Sequence, residues 1–83
     1  MTKVEIYTTD YCPYCVKAKA LLKSKNVKFT EIEMKTDQQR QDLVVKANGR
    51  KTVPQIFINN QHIGGCDDLY KLDQENKLDS LLK

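Results

Sequence analysis

Val4-Glu5-Ile6-Tyr7-Thr8-Thr9-Asp10-Tyr11-Cys12-Pro13-Tyr14-Cys15 is the stretch on which the fold turns. Val4, Ile6, Tyr7 and Thr8 favour a strand. Thr9-Asp10-Tyr11 reads as a loop, and Cys12-Pro13 opens a helix, because proline's missing N–H would have no helical partner at the first position. From Tyr14 to about Ser24 the chain is rich in Ala, Leu and Lys. Cys15, Ala18 and Leu22 fall at helical spacing with Leu21 beside them, which predicts a helix with one buried face.

Working outward, Val27 to about Met34 reads as a second strand, with Val27 and Phe29 on one face and Ile32 and Met34 on the other. Thr36 with Gln39 three residues later matches a capping box. The helix it opens is expected to run to Asn48, stop at Gly49, and touch the core through the thin stripe Leu43, Val44 and Ala47. Gln55-Ile56-Phe57-Ile58 and Gln61-His62-Ile63-Gly64 flank Asn59-Asn60, a pair that tolerates positive φ, and this is the strongest hairpin signal in the chain. After Gly64-Gly65, the residues Leu69, Leu72, Leu78, Leu81 and Leu82 recur among charged ones, predicting one or two closing helices. The order is β-α-β-α-β-β-α(α). Strands separated by a helix pair in parallel through a right-handed crossover, and the hairpin adds antiparallel partners. The fold class expected is therefore α/β, a four-stranded mixed sheet flanked by helices on both faces.

The 83 residues predict one domain over 1–83, since a chain this short buries only roughly 60% of its unfolded surface and builds a single small core. The net charge of +3 comes from scattered Lys and Arg, which argues against a nucleic-acid surface. No apolar run approaches the ~20 residues of a membrane span, and the N-terminus lacks a secretory leader's apolar region. Three cysteines, two of them three positions apart, do not make a secreted disulfide framework; they predict redox or metal chemistry in a reducing, cytoplasmic setting.

A disulfide-exchange catalyst needs one thiolate to attack and a second thiol close enough to resolve the mixed disulfide. A CxxC pair at a helix start supplies both. Cys12 at the N-cap meets free backbone N–H groups and the positive helix end, so it is the expected nucleophile, with Cys15, one turn inward, resolving. The alternative is a structural or metal-binding pair. Zinc and iron–sulfur sites usually take four ligands, and His62 and Cys66 complete no second CxxC, so no metal site is expected. His62 reads as a hairpin surface residue with nothing nearby in sequence to orient it.

Cys12-Pro13-Tyr14-Cys15, Thr52-Val53-Pro54 and Gly64-Gly65-Cys66-Asp67-Asp68 together resemble the glutaredoxin family, in its small dithiol bacterial form. The likeness spans the whole chain, and three motifs in order are far more specific than one CxxC. The resemblance implies a thioredoxin fold and an enzyme that reduces protein disulfides and glutathione mixed disulfides. Glutathione would be its co-substrate and reductant, with no tightly bound cofactor. It further implies a cis bond before Pro54, with Thr52 and Val53 offering backbone to an extended substrate. Gly65, Cys66 and Asp67 would receive glutathione's γ-glutamyl end at a helix N-terminus, with Tyr14 flanking the groove. The Asp67 and Asp68 carboxylates either meet the ligand's ammonium group or cap their helix. Arg50 and Lys51 stand where a cation could meet the glycyl carboxylate. Cys66 reads as a small filler rather than a third catalytic thiol. Expected partners are glutathione and disulfide-containing or glutathionylated proteins, ribonucleotide reductase among the candidates, with the chain a monomer.

One departure matters. Family members commonly carry a Lys in the loop before the first cysteine, where this chain has Thr8-Thr9-Asp10-Tyr11 without a cation, leaving Lys17 or Lys51 to compensate. That keeps a second reading open, a glutaredoxin-like hydrogen donor reduced by thioredoxin reductase. A more distant one is an iron–sulfur carrier.

Overall fold

In a computed structural model that describes residues 2–10 and 12–82, β1 (Val4–Thr8) leads into α1 (Pro13–Ser24), and β2 (Thr30–Glu33) into α2 (Asp37–Lys46). The hairpin β3 (Gln55–Ile58) and β4 (Gln61–Gly64) follows, then α3 (Cys66–Gln74) and α4 (Leu78–Leu82). Tyr11, assigned to the first loop from sequence, lies outside the described residues. The sheet order is β2-β1-β3-β4, with β1 parallel to β2 and antiparallel to β3, and β3 antiparallel to β4.

Strand alternation divides the core. Val4, Ile6, Ile56 and Ile58 face α1, α3 and α4, packing with Ala18, Leu21, Leu22, Cys66, Leu69 and Leu78. On the opposite face Phe57, with Tyr7 and Val53 against it, meets Met34 and Leu43. The first cluster is the larger, and α2's exposed surface explains why its apolar stripe is thin. Truncating a fully buried leucine such as Leu22 or Leu69 to alanine in such a core costs about 2–5 kcal/mol.

Two element boundaries differ from the sequence expectation. The second strand begins at Thr30 rather than Val27, because pairing with β1 starts only at Glu5–Thr30. Val27 and Phe29 nevertheless pack on the α1 face and Met34 on the α2 face, so the apparent change of phase is one extended segment that serves both cores. The second helix ends at Lys46, not Asn48: Ala47 is its C-cap, and Asn48 (φ 58°) and Gly49 (φ 89°) turn the chain in the left-handed region. The capping box is present, with Thr36 Oγ1 accepting from the Gln39 N–H and Gln39 Oε1 accepting from the Thr36 N–H. Asn59 and Asn60 both have positive φ, at 52° and 67°. The sheet's outer strands are β2, whose Glu31 and Glu33 are exposed, and β4, whose register with β3 shifts between Ile56 and Phe57. Among the described residues no helix is long and apolar enough to cross a membrane.

Candidate active site

Cys12 is the N-cap of α1, with extended backbone, and its Sγ accepts the Cys15 N–H at 3.2 Å. The capping role follows from Pro13 at the first helical position, which leaves the next amides free to turn back onto the sulfur. On its other side the Cys12 thiol points at the Val53 carbonyl, 3.8 Å away. Cys15 is 2% exposed. Burial first, and then the bond to Cys12, push its thiol up to about 12, while the Thr9 backbone N–H and Lys19 pull weakly the other way. The two sulfurs are thus unequal: one half-exposed at a helix tip, one buried and protonated at neutral pH. Both are free, as is Cys66.

An open cleft of about 280 Å³ lies beside Cys12, lined by Tyr14, Arg50, Thr52, Val53, Pro54, Gly65, Cys66 and Asp67. The Val53–Pro54 bond is cis. Tyr14 is largely exposed on the rim, with Lys17 Nζ 5.6 Å from its ring centre. The far wall is the N-terminus of α3, whose first amides have no partners within the helix. Gly65 caps it, and a Cβ there would come within 3.3 Å of the Pro54 carbonyl oxygen, so a larger residue would press the helix tip a few tenths of an ångström away from the Val53–Pro54 backbone.

The two acidic residues of α3's first turn behave differently. Asp68 accepts from the Gly65 N–H at 2.9 Å and from Arg50 Nη1 at 2.7 Å, and these two donors, Arg50 first, hold its carboxyl below the ordinary range. Asp67 is exposed and lines the cleft. Cys66 is buried in the main core, and burial with the nearby Asp67 charge raises its thiol. Among the described residues no group of three or more His, Cys, Asp or Glu side chains is placed to hold a metal ion.

Residues 4–63 match the family model described as Glutaredoxin. The chain belongs to the glutaredoxin family. Along its full length it is 57% identical to glutaredoxin 3 of Escherichia coli K12, covering all of both chains. The solution structure of a Brucella melitensis glutaredoxin superposes with a TM-score of 0.89 at 54% identity, over 100% of this chain and 90% of that one. A buckwheat glutaredoxin solved as its glutathione complex superposes with a TM-score of 0.88 at 29% identity, over 98% of this chain and 76% of that one. The protein is accordingly a glutathione-dependent thiol–disulfide oxidoreductase with the thioredoxin fold.

In this glutaredoxin the geometry gathers Tyr14, Thr52, Val53, Pro54, Gly65, Cys66 and Asp67, all the residues expected to receive glutathione, around one cleft next to Cys12. Arg50 lines that cleft and Lys51 does not. Lys51 lies with Thr9, Arg40, Arg50 and Val53 in a second cleft, on the α2 side. Thr9 thus shares the lining of this second cleft with Arg40, Arg50 and Lys51. His62 departs from expectation. It is not merely a surface residue of the hairpin: Nε2 lies 2.7 Å from Gln55 Oε1, Nδ1 lies 3.3 Å from Asn48 Nδ2, and the ring packs on Phe57. These partners come from α2's C-terminal turn and β3, and no local sequence signal joins them.

The unequal sulfurs predict an alkylation pattern. At pH 7, iodoacetamide modifies Cys12 quickly while Cys15 and Cys66 stay unmodified; Cys15 reacts only as the pH is raised toward about 12, and all three react once guanidinium unfolds the chain. Peptide mass mapping of timed samples checks this.

Proposed function

We propose that Cys12 is the nucleophile of the exchange, Cys15 the resolving thiol, and the adjoining cleft the glutathione site. The observation that carries this is the position of Cys12 Sγ, held by the Cys15 N–H on one side and facing the Val53 carbonyl on the other. A substrate laid along Val53 in an extended conformation would present its disulfide at that sulfur.

With a glutathionylated protein, Cys12 as thiolate attacks the glutathione sulfur; the protein leaves as its thiolate and Cys12 carries the mixed disulfide. A second glutathione thiolate attacks that sulfur, releasing oxidised glutathione and restoring Cys12. With a protein disulfide, the first attack links Cys12 to the substrate. Cys15 then gives up its proton, breaks that bond, and leaves a Cys12–Cys15 disulfide that two glutathiones reduce. Two of the effects that raise Cys15, the bond to Cys12 and its charge, vanish once Cys12 is in a mixed disulfide, so the resolving thiol is easier to ionise when it is needed.

In the cleft, the amides of Cys66 and Asp67 at the tip of α3 suit the γ-glutamyl carboxylate, and Gly65, whose own N–H is taken by Asp68, lets the ligand approach the backbone. The Asp67 carboxylate suits the adjacent ammonium group, Val53 the cysteinyl backbone, and Thr52 and Tyr14 the two flanks. Arg50, the cation that lines this cleft, supplies positive charge for the glycyl carboxylate. The whole chain, 1–83, would act as one domain and as a monomer in the reducing cytoplasm, on disulfide-containing or glutathionylated proteins, with ribonucleotide reductase one candidate.

The loop at Thr9, which lacks a cation, favours one second reading, reduction by thioredoxin reductase. A coupled assay separates the two. NADPH oxidation with glutathione, glutathione reductase and a glutathionylated peptide is expected to be fast, and NADPH oxidation with thioredoxin reductase alone negligible. The reverse order would reassign the electron donor.

A further inference from the structure

Gln55, the first residue of β3, is 0% exposed, so its side-chain amide must find partners inside the protein. Its Nε2 donates to the Thr52 carbonyl at 2.8 Å and lies 3.2 Å from Thr52 Oγ1. With the NH₂ end committed to Thr52, Oε1 is left as an acceptor, and His62 Nε2 stands 2.7 Å from it. That ring nitrogen therefore carries the hydrogen. In the neutral ring Nδ1 is then an acceptor, and Asn48 Nδ2 faces it at 3.3 Å. The Phe57 ring, 5.1 Å away between centroids, fixes the imidazole plane. The charged groups acting on the ring are Arg50, from the turn after α2, and Asp68, from α3; burial chiefly, and then Arg50, lower its pKa and so favour the neutral ring, while the Nε2–H bond to Gln55 is available in either protonation state. The relay Asn48–His62–Gln55–Thr52 ends one residue before Val53, the backbone that faces Cys12.

We propose that His62 is a positioning residue for the disulfide exchange: through Gln55 it holds Thr52, and with it the Val53 edge on which glutathione and other extended thiol substrates dock. The inference rests on the reading that substrate docks along Val53. It assigns a role in binding, not in the chemistry of the sulfurs.

The test is steady-state kinetics with a glutathionylated peptide. His62→Phe keeps a ring against Phe57 but removes the N–H, whereas the His62→Gln amide can replace the Nε2 donor. Losing the bond is expected to raise KM about five- to tenfold while kcat stays within about twofold, and His62→Gln should return KM to within about twofold of wild type. Gln55→Met, which keeps side-chain length but cannot bond Thr52, should match His62→Phe, and the double variant should be no worse than either single one. An unchanged KM in His62→Phe overturns the proposal. So does an equal loss in His62→Gln, a loss confined to kcat, or effects that multiply in the double variant. The docking reading is checked separately in the Cys15→Ser protein trapped as its glutathione mixed disulfide. There a shifted Val53 amide resonance supports docking and leaves His62 to be judged by KM, while an unmoved one overturns the docking reading and the relay with it.

Discussion

Cys12→Ser is expected to lower turnover of glutathionylated and disulfide substrates alike by on the order of 10³-fold or more, because a serine hydroxyl at neutral pH neither ionises nor forms the mixed disulfide. The companion variant separates the two reactions. Cys15→Ser should retain a substantial fraction of deglutathionylation, which needs one sulfur, and lose most reduction of protein disulfides, where the buried thiol must displace the substrate from Cys12. Measuring both substrates on both variants checks the assignment. Equal losses on both substrates in Cys15→Ser would mean that the buried sulfur does more than resolve, and an active Cys12→Ser would remove the basis of the mechanism.

Gly64→Ala should be among the most destabilising of the small substitutions. Gly64 has φ +123°, a region that residues with a Cβ rarely adopt, and the added carbon would sit 2.7 Å from Asp68 Cγ and 2.8 Å from Arg50 Nη1. The two side chains can move, but moving them breaks the Arg50–Asp68 ion pair and the Asp68 cap on the Gly65 N–H. Backbone strain plus the lost cap amounts to about 2–4 kcal/mol, which in a chain of this size lowers the melting temperature by roughly 10–20 °C. Because Asp68 is held below its ordinary value, first by Arg50 and then by the Gly65 N–H, its share of that gap is present above about pH 4. That share is lost as the pH falls through the depressed pKa. Thermal melts at neutral and acid pH test both statements: the gap between wild type and variant should narrow in acid.

Much of the architecture was legible because its signals are local. Pro13 after Cys12, the Thr36–Gln39 box and the Asn59–Asn60 turn each depend on bonds within a few residues, and each is found in place. The boundaries that moved depend on partners elsewhere: β2 begins where β1 offers a ladder, and α2 ends where Asn48 takes the left-handed turn. The cleft was legible only through the resemblance of three motifs, since nothing in Thr52-Val53-Pro54 alone tells that it will lie beside Cys12. The helix cap at Asp68 was one of the two roles its place in the first turn offered, and it is found, but its pairing with Arg50 and the partners of His62 were not legible for the same reason. Asp68 answers to Arg50, eighteen residues away, and His62 to Asn48, fourteen away. A sequence shows that such groups can bond, but only the folded chain shows to what.

The outer strands carry one more consequence. An open four-stranded sheet exposes two rows of unpaired amides and carbonyls, an invitation for identical copies to zip into fibrils. Along β2, the exposed Glu33 puts a charge on the edge that a second copy would have to approach, and along β4 the shifted register interrupts the even ladder that a newcomer needs. These two features oppose edge-to-edge pairing of copies without the sheet having to close on itself.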